Sequence, residues 1–314
     1  MNSFAELQEL YRLPMLELIW RAGEIHRAHH SADDIQRCAL LSIKTGGCPE
    51  DCGYCAQSAR YSTPVKAGPL MSVEEVKQRA TQAKELGATR FCMGAAWREP
   101  RDGPQFDRVL EMVEAVRELG MEACVTLGML TGEQAQRLKA AGLTAYNHNL
   151  DTSRRFYPEV ITTRTYDDRL RTLDAVQKAG IAVCCGGILG LGEKEDDRLM
   201  MLRELTALEP PPESIPINCL MPIQGTPLAE APRVDSFEIV RLIAVTRITF
   251  PKARVRLSAG RDCMSRELQA LCFLAGANSI FFGDKLLTAA NPSASADAEL
   301  FRSLGLDWPV PTPS

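Results

Sequence analysis

Three cysteines stand close enough to share one inorganic centre, in the run Cys48-Pro49-Glu50-Asp51-Cys52-Gly53-Tyr54-Cys55. Three thiolates cannot close a four-iron cluster, and the iron left without a protein ligand is the open position that catalysis at a metal requires. A structural zinc is the plainer alternative. It generally takes four ligands, and no His or Cys close in sequence supplies the fourth. The spacing favours the cluster. Gly46, Gly47 and Gly53 are expected to let the backbone wrap a bulky ligand.

A second group is spread along the chain. Cys92, Cys124 and Cys184 fall centrally in three β-rich runs, and Arg256 falls centrally in a fourth. Side chains alternate along a strand, so in the right register all four face one interior. Cysteine also fills cores with no chemistry at all. Three at matching depth beside an arginine point further, to a second metal site, with Arg256 open to reading as a charge partner for thiolates. Cys185 should point toward the helices. Cys38, Cys219, Cys263 and Cys272 show no partner spacing and read as structural.

The elements that must position these residues recur as a unit: an amphipathic helix, a glycine stop, then a short β-rich run. Gly87, Gly120, Gly142, Gly180 and Gly276 each precede such a run. Glycine past a helix end takes the left-handed conformation without a Cβ penalty. Further strands are predicted over 38–44, 214–220 and 252–258. Eight strands alternating with helices predict an α/β fold, a (β/α)8 TIM-type barrel over 37–290, with an open doubly wound sheet as the competitor. Residues 1–36 are predicted to be an N-terminal helical extension, with Leu16, Ile19, Ala22 and Ile25 at helical spacing. Residues 291–314 are predicted to be an irregular C-terminal tail. His26, His29 and His30 read as the polar end of a helix rather than as a metal patch. In a barrel, the three-cysteine loop follows the first strand and lies at the C-terminal face, where such enzymes keep their chemistry.

Composition narrows the partners. The chain has 314 residues, 45% hydrophobic and 24% charged, with a formal net charge of −4. That balance carries no footprint for nucleic acid or an anionic membrane and suits a small organic substrate. Neither a signal peptide nor an apolar run of membrane-spanning length is visible, so a cytoplasmic location is expected. Eleven cysteines in a reducing compartment argue for metal or redox chemistry over disulfides.

The CxxxCxxC spacing is the signature of the radical S-adenosylmethionine (SAM) superfamily, and longer strings narrow the likeness. Leu41 to Gly47 ahead of the cysteine loop, Phe91 to Trp97, Tyr146 to Thr152 and Val255 to Arg261 closely resemble the biotin synthase family. The resemblance runs from about Leu40 to Pro292. It implies a 4Fe–4S cluster on Cys48, Cys52 and Cys55, and a 2Fe–2S cluster on Cys92, Cys124, Cys184 and Arg256. It implies SAM contacts from Tyr54, Asp151, Arg169 and Ile188, with Asp151 on the ribose, Arg169 on the carboxylate and Ile188 against the adenine. Asn147, Asn149 and Asn218 would meet the ureido ring of dethiobiotin, and Thr288 its carboxylate tail. The implied reaction inserts sulfur. An electron from the 4Fe–4S cluster cleaves SAM, the 5′-deoxyadenosyl radical takes hydrogen from the substrate, and the carbon radical captures a sulfide of the 2Fe–2S cluster. A second SAM closes the ring. Homodimerisation, a flavodoxin or ferredoxin electron donor and the iron–sulfur assembly machinery are family expectations. Ala289 departs from the family, which often has a second Thr there, and so weakens the expected tail contact.

Overall fold

A computed structural model describes residues 3–306 and 308. Two helices come first, α1 (Phe4–Arg12) and α2 (Met15–His29). A barrel stave β1 (Gln36–Lys44) then leads through the cysteine loop to α3 (Val73–Glu85). There follow β2 (Arg90–Ala95), α4 (Pro104–Glu118), β3 (Glu122–Thr126), α5 (Gly132–Ala140), β4 (Ala145–Asn147) and α6 (Tyr166–Lys178). The second half comprises β5 (Ala182–Cys184), β6 (Gly187–Leu189), α7 (Glu195–Thr206), β7 (Ser214–Cys219), α8 (Ser236–Thr249), β8 (Arg254–Leu257), α9 (Arg266–Leu274) and β9 (Ser279–Phe281). A small hairpin, β10 (Lys285–Leu286) with β11 (Ala289–Ala290), precedes a last helix α10 (Ala294–Ser303).

The five predicted glycine stops all lie at positive φ, between 70° and 105°, as a left-handed helix end requires. Each hands the chain to a parallel strand, and the strands close on themselves. β1 pairs with β2 on one side and β9 on the other, and the ring is completed where Cys184 of β5 pairs with Ser214 of β7. This is the predicted (β/α)8 barrel.

One stave is broken. After β5 the chain leaves the sheet briefly, and Gly187–Leu189 is a strand in its own right. Cys184 meets Ser214 and Gly187 meets Ile217, so β5 and β6 continue one register along β7 across a gap at Cys185-Gly186. A Cβ on Gly186 would lie 2.0 Å from the Pro216 carbonyl oxygen, so only glycine lets the two staves approach there.

The extension is helical as predicted, but its buried face differs. Leu18, Ile19, Ala22 and Gly23 are buried, whereas Leu16 is 72% exposed. His30 Nε2 lies 3.0 Å from Arg247 Nη1 and 3.1 Å from the Pro251 carbonyl, which fits the reading of these histidines as a helix end. The predicted irregular tail is corrected over Ala294–Ser303. Ser293 caps that helix by accepting from the Ala296 amide, and Leu300 and Phe301 bury its inner face. Asp297 meets Arg261 in a fully buried ion pair at 2.5 Å. Residues 307 and 309–314 of that predicted tail lie outside the described residues. At the N-terminal end of the barrel, buried Arg90 donates to both Glu213 oxygens (3.0 and 3.1 Å) and to Glu122 at 2.8 Å.

Candidate active site

The loop after β1 is shaped by its own backbone. Gly46 and Gly47 sit at φ 69° and 72°, and a Cβ on Gly46 would come within 2.9 Å of the Ala67 backbone. Gly53 shows neither constraint: its φ is ordinary and its nearest neighbour, the Val160 carbonyl, is at 3.5 Å. The expectation for that glycine is therefore corrected. The Cys48 amide donates to the Gln57 carbonyl at 3.0 Å, and the Ala59 amide donates to the Cys48 carbonyl at 2.7 Å, closing the loop. Asp51 anchors it to the stretch after β4 by accepting from the Thr162 and Thr163 amides. Burial would raise the Asp51 carboxyl, but these bonds and those from the two threonine hydroxyls outweigh it and bring its pKa to about 2.

A single cavity of about 330 Å³ runs from this loop into the barrel. Cys48, Cys52, Tyr54 and Cys55 line its mouth, and Cys92, Cys124 and Arg256 line its depth. Asn147, Asn149, Asp151 and Arg169 line one wall; Ile188, Asn218 and Thr288 complete the lining. Cys184 lies just behind the surface, with its sulfur 3.4 Å from Arg256 Nη1 and 3.2 Å from Asn147 Nδ2. Every residue named from the sequence is thus brought to one place.

Charge is arranged in two layers. At the mouth, Arg169 Nη2 donates to Asp151 Oδ2 at 2.5 Å and Nε donates to the Tyr157 hydroxyl at 3.0 Å; the Tyr54 hydroxyl donates to the same Asp151 oxygen at 3.0 Å. Asp151 has φ 67°, in the left-handed region that aspartate tolerates better than most residues. Arg164 Nη2 stands 3.6 Å from the Cys52 sulfur, a cation beside the thiols that sequence reading missed. Burial pushes the Cys52 thiol up to about 12 and raises Cys48 and Cys55 as well, so a metal must displace protons to bind there.

Deeper in, the amides are already oriented. Asn147 Oδ1 accepts from the Thr126 hydroxyl at 3.2 Å, Asn149 Oδ1 accepts from the Gly186 amide at 3.1 Å, and Asn218 Nδ2 donates to the Gly187 carbonyl at 3.0 Å. Cys92 and Cys124 are register partners on β2 and β3. Cys38, read from sequence as incidental, packs with them in the same small interior cluster. The alternation Gln36, Cys38, Leu40 on β1 is the signal that could have found it. Cys185 joins the outer core instead, as expected.

All eleven cysteines are free thiols. Three on one loop at the mouth and a buried set at the floor, each beside an arginine, suit sulfur-ligated iron. Among the described residues no three His, Cys, Asp or Glu converge on a single ion position. A multi-iron centre takes no more than one or two protein ligands at any one iron and does not need that convergence.

Residues 42–205 match the family described as the radical SAM superfamily, and residues 216–307 match the Biotin and Thiamin Synthesis associated domain. A biotin synthase of Methylobacterium sp. strain 4-46 is 61% identical over 310 residues, spanning 98% of this chain and 93% of that protein. The chain belongs to the biotin synthase family. It is a radical SAM enzyme, in a family that works with SAM and iron–sulfur clusters. Methylornithine synthase shares the fold at TM-score 0.82 and 18% identity, covering 98% of this chain and 94% of the other. The FeFe-hydrogenase maturase of Carboxydothermus hydrogenoformans does so at 0.80 and 19%, covering 97% and 75%. The barrel is therefore shared with enzymes of other names, and biotin synthase membership rests on sequence. No helix among the described residues is long and apolar enough to cross a membrane.

Proposed function

We propose that this biotin synthase family member inserts sulfur into dethiobiotin to form biotin, with a 4Fe–4S cluster on Cys48, Cys52 and Cys55 and a 2Fe–2S cluster on the interior thiols Cys92, Cys124 and Cys184 beside Arg256. The observation that carries the reading is the single cavity with a three-thiol mouth and a thiol-lined floor, with three amide side chains between them. Bound there, the clusters and SAM supply an electron, a carbon-centred radical and a sulfur atom.

The chain's own residues then bind, orient and exclude. Arg169 offers a planar fork to the SAM carboxylate, and Asp151 offers an acceptor to the ribose hydroxyls. Tyr54 holds Asp151 in place, and Ile188 presents an apolar face to the adenine. Asn147, Asn149 and Asn218 suit a ureido ring, which both donates and accepts. Thr288 receives the carboxylate tail. No general acid or base is required, and the barrel wall keeps the reactive carbon close to one partner and away from water. A low-potential flavodoxin or ferredoxin, the iron–sulfur assembly machinery, a second copy of the chain and a cytoplasmic setting complete the reading. Anaerobic incubation of reconstituted protein with dethiobiotin, SAM and reductant should yield biotin, methionine and 5′-deoxyadenosine. Absence of an iron–sulfur spectrum, with SAM left intact, would overturn the proposal.

A further inference from the structure

We infer that Arg164 sets the reduction potential of the loop cluster, as a positioning residue whose charge and N–H bond act through the Cys52 sulfur; this rests on the iron–sulfur reading above. Arg164 stands on the stretch between β4 and α6, and its side chain is 7% exposed. It lines the cavity, with Nη2 3.6 Å from the Cys52 sulfur. Its Nε is buried and has no hydrogen-bond partner among the described residues. The neighbouring carboxylate does not satisfy this cation. Glu50 Oε2 lies 3.8 Å from Arg164 Nε and accepts from the Thr163 hydroxyl, while Glu50 Oε1 accepts from Arg98 Nη1 at 2.8 Å. Two guanidiniums thus share one carboxylate, and the surplus positive charge lies beside Cys52. Arg169, also buried at the mouth, differs: its Nη2 is bonded to Asp151 and its Nε to Tyr157.

Once Cys52 ligates iron it has lost its proton, and its sulfur can only accept. An electron entering the cluster adds negative charge, and hydrogen bonds to the sulfurs and local charge are among the quantities that set such a potential. A buried guanidinium against one ligand favours the more negative, reduced state. One electron arrives from the low-potential donor, and no bond forms or breaks. Arg164 keeps its proton throughout, since a guanidinium stays charged across the working pH range. Nor is the Arg164 side chain what holds the loop. The Gly53 amide donates to the Val160 carbonyl at 2.9 Å, Asp51 accepts from the Thr162 and Thr163 amides at 2.9 and 3.2 Å, and Arg98 Nη1 donates to the Thr163 carbonyl at 2.5 Å. These contacts fix the loop against the stretch without it, so a substitution at Arg164 should leave the cluster assembled.

The test uses the full chain, reconstituted without oxygen. It reads iron and acid-labile sulfide per chain, then the potential of the loop cluster from its reduced-state EPR signal in a graded dithionite titration. Arg164→Met should keep the iron of the wild type and make the one-electron reduction roughly tenfold less favourable, a potential lower by about 59 mV. Arg164→Lys keeps the charge and should recover roughly half of that shift or more. Arg164→Gln, neutral but still able to donate, should recover less than the lysine variant. An assembled Arg164→Met cluster at the wild-type potential overturns the inference while leaving the proposed function standing. So does loss of the loop cluster's iron from all three variants, or from Arg164→Met with the other two at the wild-type potential, because Arg164 would then only hold the loop. Wild-type protein that takes up no iron overturns both.

Discussion

Arg169 and Asp151 meet as a buried ion pair 2.5 Å long, with side chains 6% and 3% exposed. In the proposed function each serves a different part of SAM, so each holds the other in place until the cofactor arrives. Asp151→Asn keeps a residue tolerant of positive φ but leaves the guanidinium without its counter-charge. Losing one partner of a buried pair costs on the order of 3 kcal/mol. Denaturant unfolding should report that loss, and SAM binding should weaken at least roughly tenfold, the equivalent of about 1.4 kcal/mol. An unchanged midpoint and affinity would remove both residues from this role.

The two thiol sets are expected to separate under mutation. Cys52→Ala should abolish the loop cluster's share of iron and all SAM cleavage. Cys124→Ala should still cleave SAM under strong reductant and make no biotin. Full biotin formation by the second variant would refute a sulfur source at the cavity floor.

Docking of α10 depends on Asp297 and Arg261, whose side chains are 1% and 0% exposed. Asp297→Ala leaves a buried guanidinium short of its charge partner, at a cost of about 3–5 kcal/mol. Thermal denaturation should fall by several degrees, and limited proteolysis should cut first near the C-terminal helix. Equal melting of variant and parent would count against this account.

Gly186 is a steric requirement. In Gly186→Ala the new methyl meets the Pro216 carbonyl, and the strand must shift to accommodate it. A cost of about 1–3 kcal/mol or more is expected, together with reduced iron at the interior centre, since Cys184 lies two residues away. Normal stability and full metal content would show that the gap between β5 and β6 yields easily.

The extension should confer an acid sensitivity. Burial, then Arg247 and His30, lower His26 from 6.5 to about 4, while Asp34 opposes and Arg254 adds to the shift. His30 moves the same way. Between pH 6.5 and 4 the unfolded chain binds more protons at these positions than the folded one does. Stability is therefore full above about pH 6.5 and declines as pH falls toward 4. Urea midpoints across that window should fall less steeply in His26→Gln than in the parent; parallel slopes would exclude His26 as the source.

Much of the site is written in short strings, and these are legible because their geometry is local. The CxxxCxxC loop fixes three thiols whatever surrounds it, and the glycine stops mark where each strand begins. Cys38 is different. Nothing in its linear spacing ties it to Cys92, and only closure of β1 against β2 and β9 brings it inside. Arg164 likewise reaches Cys52 across the barrel mouth from a stretch with no motif of its own. The last helix was hidden by its flanks: proline content suggested a tail, while Ser293 as a cap and Leu300 and Phe301 on one face were the stronger signals. Leu16 had helical spacing yet faces outward, because spacing alone does not say which stripe the barrel will cover.

Arg90, clasped by Glu122 and Glu213, stoppers the far end of the barrel. Among the described residues, the cavity lies toward the opposite end, beneath the cysteine loop. In the proposed reaction, substrate, cofactor and spent fragments would then pass the same threshold in turn, so leftovers of a first turnover would obstruct the second until they depart.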